Sequence, residues 1–187
     1  MDPSDAELIV RTQAGDKEAF GIIVRRYMKR AYNAALAIVG EHHEAMDLSQ
    51  EAFVRAYRGM KGFDTSMPFF PWYYRTLKNL WINRARKLRG IRTRSLSPPD
   101  DQDAAQLDVA APDEGPFVSV EKKEMSQILA REMAALGADK REILYLRHFE
   151  NLSYKEIARL LDIPEGTVMS RLFGARAALR ARMEKYL

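Results

Sequence analysis

Aromatic and cationic side chains alternate between Phe69 and Arg94. Residues 75–94 contain eight Lys or Arg and no acid, so this stretch is suited to a polyanion. Aromatic rings stack on unpaired bases and cations follow phosphates, which is how proteins hold single-stranded nucleic acid. The alternative is that about half of the rings pack in a helical core, with Asn79 solvated rather than reading a base. The rings are Trp72, Tyr73, Tyr74 and Trp81, and the cations include Arg75, Lys78, Arg84, Arg86, Lys87 and Arg89.

The stretch that begins at Ser153 has the pattern of a helix, a tight turn and a second helix. Ser153 and Glu156 have capping-box spacing, in which each side chain accepts a hydrogen bond from the other residue's backbone N–H. Asp162 stands in the turn where glycine is usual, and Asp tolerates a left-handed backbone better than most residues. Val168 and Leu172 lie four residues apart and give the second helix a buried face. The pattern predicts a helix-turn-helix, whose second helix enters the major groove of DNA.

The outward side of this second helix carries hydroxyl and guanidinium groups. Such groups reach phosphates, and Arg can also pair with a guanine edge through two hydrogen bonds. The alternative is a helical hairpin with solvated arginines and no DNA contact. The predicted contact residues are Thr167, Ser170, Arg171, Phe173 and Arg176.

Asp47, Gln50 and Glu51 are spaced so that they share one exposed face of a helix, beside a seam that contains Leu48 and Phe53. Acidic helix faces are common and carry no chemistry of their own. Considered by themselves, these residues favour a solvated acidic patch.

Several other chemistries lack residues that could perform them. The chain has no cysteine, and His42 and His43 are adjacent and so cannot share a helix face, while His148 is distant. We therefore expect no metal site and no cofactor. Because the sequence has no glycine-rich phosphate cradle, nucleophile elbow or paired-carboxylate motif, we also expect no enzyme activity. No segment approaches the ~20 apolar residues that span a bilayer, and the acidic N-terminus is not typical of a secretory signal, so we expect no membrane insertion and a cytoplasmic location.

The elements that must position these residues are all predicted to be helices. Ser4 and Glu7 have capping-box spacing, and Gly15 marks the end of a short first helix. Apolar residues then recur with a 3.6-residue period from Phe20 to Ile38. Further helices are predicted over about 44–60, about 72–88 and from 120 to the C-terminus. Because no alternating strand pattern occurs, the fold class is all-α.

Charge is segregated along a chain whose net charge is only +4 over 187 residues. Residues 98–116 hold six acids and no base, and residues 95–116 include four of the eight prolines. A segment of this composition cannot bury enough apolar surface to offset the entropy of ordering. We predict two small helical domains, residues 1–95 and 119–187, joined by an acidic Pro-containing linker at 96–118.

Three separated motifs together resemble the extracytoplasmic-function (ECF) sigma factors of bacterial RNA polymerase. They are DLSQEAFVRAY at 47–57, FFPWYYRTLKNLWINRARK at 69–87 and LRHFENLSYKEIARLLDIPEGTVMSRLFGARAALR at 146–180. The resemblance covers nearly the whole chain apart from the linker, and the motifs occur in the family's order and spacing. It implies a non-catalytic sigma factor that gives core RNA polymerase its promoter specificity, melts promoter DNA and is controlled by an anti-sigma factor.

The resemblance also implies roles for residues. One segment would dock on the largest polymerase subunit, which replaces the solvated patch as the interpretation of that face. A loop and the following helix would recognise and melt the minus-ten element, where a stacking pocket with cationic walls suits an extruded base. The residues implied for polymerase docking are Asp47, Leu48, Gln50, Glu51 and Phe53. Those implied for the minus-ten element are Phe63, Asp64, Phe69, Trp72, Tyr73, Arg75, Lys78 and Asn79. The minus-thirty-five element would be read by the helix-turn-helix residues named above, and the acidic linker would run near the RNA exit path.

This chain departs from the family pattern at several positions. Met169 stands where the family often has Lys, and Phe173 and Gly174 stand where it often has a polar or basic pair. These departures concern minus-thirty-five specificity rather than the fold. Two other functions compete with the sigma factor: a dimeric helix-turn-helix regulator that binds duplex DNA alone, and an enzyme acting on nucleic acid, which would need carboxylates that residues 75–94 lack.

Overall fold

The structure is a computed structural model that describes residues 2–92 and 120–186, with side chains described for 2–87 and 124–186. These ranges contain helices and connecting turns and no strand, which confirms the predicted all-α class. The predicted linker, 96–118, lies outside the described residues. The α-helices are α1 Asp5–Gln13, α2 Lys17–Val39, α3 His42–Gly59, α4 Phe69–Arg92, α5 Val120–Ala134, α6 Ala138–His148, α7 Tyr154–Leu161 and α8 Glu165–Met183, with 3₁₀ turns at Met60–Gly62 and Glu184–Tyr186.

The chain divides into two compact units. Unit 1 comprises Met1–Ala35 and His43–Pro99, and unit 2 comprises Leu36–His42 and Asp100–Leu187. Within the described ranges, no helix is both long enough and apolar enough to cross a membrane.

Local capping begins α1 as its sequence predicts. Ser4 Oγ accepts from the Glu7 backbone N–H at 3.2 Å, and Glu7 Oε2 accepts from the Ser4 backbone N–H at 2.7 Å. Gly15 follows the helix at φ +101°, a left-handed conformation that costs glycine little. The boundaries of α4 differ from prediction: it begins at Phe69 rather than Trp72 and places Pro71 within its first turn, where a missing N–H is harmless.

Aromatic packing forms much of the core of unit 1. Phe53 and Tyr73 lie with ring centroids 4.5 Å apart, and Phe69 packs 5.9 Å from Tyr73. The Tyr73 hydroxyl donates to the Ser49 carbonyl at 2.9 Å, so α4 is tied to α3 by a buried hydrogen bond as well as by apolar contact. Burial raises the pKa of the Tyr73 phenol above its ordinary range.

α1 is fixed to the rest of unit 1 at both ends. Asp5 accepts hydrogen bonds from Arg26 and Tyr27 on α2, and burial together with Asp5 raises the pKa of Tyr27 to about 12. At the other end, Gln13 Nε2 donates to the carbonyls of Met60 at 3.0 Å and Phe63 at 2.8 Å. Gln13 thereby satisfies backbone acceptors where the chain enters the loop that precedes α4.

In unit 2, α5, α6 and α7 all pack against α8. The buried Arg141 guanidinium donates from Nη1 to the carbonyls of Ala134 at 2.9 Å and Leu136 at 2.8 Å, which fixes the end of α5 beside the start of α6. The buried Glu132 carboxylate accepts from Arg182 at 2.9 Å and from Tyr186 at 2.9 Å, and so holds the C-terminal turn against α5. The hydrogen bonds from Tyr186, Lys185 and Arg182 lower the pKa of Glu132.

Candidate functional site

The first candidate surface lies on α3. Asp47 and Gln50 are exposed and Glu51 is half-buried, so the predicted shared face exists. Leu48 and Phe53 are buried in the core, on the inward side of α3. Their apolar side chains support α3 from within, and only the polar members of the predicted set are accessible to a partner.

Glu51 is already engaged by two arginines of its own unit. Arg84 Nη2 on α4 lies 2.5 Å from Glu51 Oε2, and Arg55 Nη2, one turn along α3, lies 2.9 Å from Glu51 Oε1. The hydrogen bond from Arg84 is the main cause of a lowered Glu51 pKa, with Arg55 adding to it against the opposing effect of burial. Arg84 was predicted among the cations facing nucleic acid. This is corrected, because its guanidinium turns toward α3.

The Glu51–Arg84 pair makes unit 1 sensitive to acid. A carboxylate whose pKa is lowered by folding stabilises the fold above its ordinary value of 4.5, and this contribution is lost as the pH falls through the folded value. We expect Glu51→Gln to destabilise unit 1 at pH 7 and to reduce the fall in its stability between pH 5 and pH 3. Urea unfolding of both proteins at each pH measures this difference. Equal pH dependence in the two proteins would contradict it.

Val54 is a functional candidate that the residue-type reasoning missed. It is 49% exposed and lies seven residues after Asp47, four after Gln50 and three after Glu51, which places it among them on the same side of α3. The helical spacing of the apolar residues could have identified Val54, because it falls outside the inward set of α3, which includes Ala45, Leu48, Ala52 and Ala56. We name the surface formed by Asp47, Gln50, Glu51 and Val54 the α3 face.

The loop before α4 is ordered by its own backbone and by buried rings. Asp64 is exposed, and its Oδ1 accepts from the Ser66 N–H at 2.9 Å, which lowers the pKa of Asp64. Phe63, Phe69 and Tyr73 are buried in the free chain, and their contact with DNA stays a prediction. The rings of this region pack on one another, and the ring centroids of Phe63 and Trp72 lie 4.8 Å apart. In the free chain these three side chains therefore shape the loop.

Polar residues form a stripe along the outer side of α4. Trp72 is half-buried, and Arg75 and Asn79 are exposed at three and seven residues after it. The same spacing continues to Asn83 and Arg86, both exposed, so the stripe extends for about four helical turns. Lys78 is half-buried and lies to one side of it. We name Trp72, Arg75, Asn79, Asn83 and Arg86 the α4 stripe, which offers one ring, two amides and two guanidinium groups to a polyanion.

In unit 2, the predicted helix-turn-helix is present. Ser153 Oγ accepts from the Glu156 N–H at 3.3 Å, and Glu156 Oε2 accepts from the Ser153 N–H at 2.8 Å, so the capping box of α7 is complete. Asp162 adopts φ 54° and ψ 51°, the left-handed conformation predicted for the turn, and α8 begins directly after Pro164. Val168 and Leu172 are buried as expected.

The predicted contact residues of α8 lie mostly outward. Ser170, Arg171, Phe173 and Arg176 are exposed, and Thr167 is half-buried near the start of the helix. Arg176 also borders an apolar groove of about 480 Å³ formed by α5, α6 and α8. Burial within that groove lowers the pKa of His148, and the nearby charges of Arg176 and Arg147 lower it further. No group of carboxylates and histidines among the described residues could hold a metal ion.

Comparison with known proteins assigns both units. Residues 23–91 match the model of Sigma-70 region 2, and residues 126–179 match that of Sigma-70 region 4. Two solved structures share the fold. One is the sigma factor RpoE in complex with the anti-sigma factor NepR from Bartonella quintana (TM-score 0.69, 20% identity, 88% of this chain and 96% of that chain), and the other is CnrH in complex with the cytosolic domain of CnrY (TM-score 0.63, 22% identity, 98% and 99%).

Full-length relatives extend the match across the chain. The RNA polymerase sigma-H factor of Pseudomonas aeruginosa is 34% identical over 98% of this chain and 95% of its own length. The ECF RNA polymerase sigma-E factor of Escherichia coli is 31% identical over 97% and 95%, and the ECF RNA polymerase sigma factor SigW of Bacillus subtilis is 32% identical over 94% of both. With identity near one third over almost the whole length and both sigma regions in order, the chain belongs to the ECF sigma factors of RNA polymerase.

Proposed function

We propose that this sigma factor binds core RNA polymerase through the α3 face and contacts promoter DNA through two separate surfaces, one in each unit. It acts as a specificity subunit and catalyses no reaction itself, and it works in the cytoplasm. The observation that supports the proposal is that the matched sigma regions carry three exposed surfaces on separate helices, an acidic one on α3 and cationic ones on α4 and α8.

The α3 face is suited to a protein partner. It combines an exposed carboxylate, an amide and an exposed valine, and such a mixture of an apolar centre with polar neighbours is typical of protein interfaces. Leu48 and Phe53 contribute to docking only by supporting the helix. The pairing of Glu51 with Arg84 holds this helix in register against α4.

The α4 stripe and the loop before it are suited to the minus-ten element. Trp72 offers a half-exposed ring for stacking, Arg75 and Arg86 offer phosphate partners, and Asn79 can pair with a base through its amide. Asp64 lies exposed in the loop, beside the buried rings of Phe63 and Phe69. The α4 stripe would hold the unpaired strand during promoter opening. Stacking of a base and neutralisation of the phosphates would offset the few kcal/mol that base extrusion costs.

The outer side of α8 is suited to duplex DNA at the minus-thirty-five element. Thr167 and Ser170 lie near its N-terminal end, where the residues of a recognition helix meet base edges. Arg171 has the guanidinium group that pairs with guanine through two hydrogen bonds.

An anti-sigma factor is the further partner that we propose. RpoE of B. quintana and CnrH are each bound in their solved structures to another protein, in the first case to the anti-sigma factor NepR. In the present chain, the groove between α5, α6 and α8 has Leu129, Met133 and Leu144 along its walls and could receive an apolar helix of such a regulator.

The test is to mix the purified chain with bacterial core RNA polymerase, isolate the complex and transcribe fragmented genomic DNA from the source organism. We expect a one-to-one complex that begins transcripts at discrete sites, whereas core polymerase alone does not. The competing helix-turn-helix regulator predicts the opposite result: no complex with polymerase, and tight binding of duplex DNA by the chain alone.

A further inference from the structure

Two large apolar side chains project from α8 into solvent. Met169 is 55% exposed and Phe173 is 77% exposed, the highest value for any large apolar side chain among the described residues. They lie four residues apart and so share one side of the helix, away from the buried Val168, Leu172 and Ala175. A helix that already buries one apolar side leaves such a pair exposed at a cost, unless a partner covers it.

The surroundings of this pair indicate the shape of that partner. Gly166 and Gly174 lie on the outer side of α8, and a Cβ atom added to either would meet nothing within 4 Å. Ser170 and Ala177 are also small and exposed. The helix axis can therefore approach a partner closely, with Phe173 as the large projecting side chain. A close approach of this kind is what a helix needs to enter the major groove, which is about 12 Å wide.

Charge indicates the chemistry of the same partner. Arg171, Arg176 and Arg180 are exposed along α8, and the exposed acid of this helix, Glu165, lies at its first residue. A cationic helix that also presents two apolar side chains fits a polyanion with isolated apolar groups on its surface. Duplex DNA is such a partner, because the C5 methyl of thymine is the apolar group that base edges present in the major groove.

We propose that Met169 and Phe173 determine specificity by contacting thymine methyl groups in the minus-thirty-five duplex. The inference rests on the proposed function, in which α8 reads this element. Four residues along a helix rise about 6 Å, so the two side chains are far enough apart to contact the methyl groups of two different thymines. The element recognised by this chain therefore contains two thymines, one for each side chain, on either strand.

The experiment uses the holoenzyme and first selects its minus-thirty-five sequence from a duplex library randomised at that element. Each selected thymine is then replaced by deoxyuridine, which removes the methyl and leaves the pairing unchanged. We expect each of two replacements to weaken binding of the wild-type holoenzyme about fourfold, the value of one buried methyl group. At one of these positions, the Phe173→Ala holoenzyme should bind the thymine duplex and the deoxyuridine duplex equally. At the other position, the Met169→Ala holoenzyme should do so.

Two controls make the result specific. Met125→Ala removes an exposed methionine from α5, and this variant should lose affinity on deoxyuridine replacement as the wild type does. Deoxyuridine outside the element removes a methyl that α8 cannot reach, and it should not change the affinity of the wild-type holoenzyme. A selected element without thymine, or a deoxyuridine effect that is equal in the wild type and both alanine variants, would overturn the inference while the sigma function stands. Variants that lose polymerase binding instead would also overturn it, by assigning the pair to a protein partner. If no holoenzyme forms or no sequence is selected, the proposed function fails, and this inference fails with it.

Discussion

Val54→Lys is expected to lower the affinity of this sigma factor for core RNA polymerase by about tenfold to hundredfold, the range of a central interface residue. The change removes the apolar centre of the α3 face and places a cation between Asp47 and Glu51. Because Val54 is 49% exposed, the larger side chain can extend into solvent without disturbing the core. Polymerase affinity is measured by titrating labelled sigma factor with core enzyme.

The matched control is Val10→Lys, the same substitution at a valine of α1 that is 54% exposed. It adds the same charge to the same unit, outside the α3 face, and should leave the affinity unchanged. Thermal unfolding of both variants should match the wild type. Equal polymerase affinity for the two variants would remove Val54 from the docking surface.

Glu51 is a less specific probe of docking than Val54. A lysine at position 51 would face the guanidinium groups of Arg84 and Arg55, so like-charge repulsion would weaken the packing of α3 on α4 as well as any polymerase contact. A loss of polymerase binding in that variant could come from either cause. Asp47→Lys, at an exposed position of the same face, is the better second substitution.

Arg171→Ala is expected to reduce the affinity of the holoenzyme for its promoter by about tenfold to hundredfold, with polymerase association unchanged. Arg171 is exposed on α8, so its removal leaves the helix-turn-helix core of Val168 and Leu172 intact. Promoter affinity is measured with selected and scrambled minus-thirty-five duplexes at a single salt concentration.

Arg171→Lys separates the two contacts that an arginine can make. Lysine keeps the charge but lacks the planar fork that pairs with guanine, so it preserves a phosphate contact and loses a base contact. We expect Arg171→Lys to bind the scrambled duplex as the wild type does while losing preference for the selected one. Full preference in the lysine variant would assign Arg171 to the phosphate backbone, and unchanged affinity in the alanine variant would exclude it from the DNA surface.

Local signals in the sequence predicted the elements of this protein well. The capping boxes at Ser4 and Ser153 and the left-handed Asp162 depend on atoms within a few residues of each other, and their geometry follows from local hydrogen bonding. The all-α class and the helix-turn-helix follow from apolar periodicity in the same way. These features need no knowledge of what packs against each helix.

Which side chains of a helix are accessible was decided by tertiary packing. Periodicity marked α4 as rich in rings and cations, but only the folded unit distinguishes Tyr73, buried with its hydroxyl on the Ser49 carbonyl, from the half-buried Trp72 beside it. Arg84 could not be separated from the other cations of α4 because its partner, Glu51, lies 33 residues earlier in the chain. Composition and spacing thus determined the helices and the classes of partner, and the resemblance of three motifs indicated the family. Burial and long-range pairing depend on contacts between distant residues, so only the tertiary structure assigned Phe63 and Phe69 to the core.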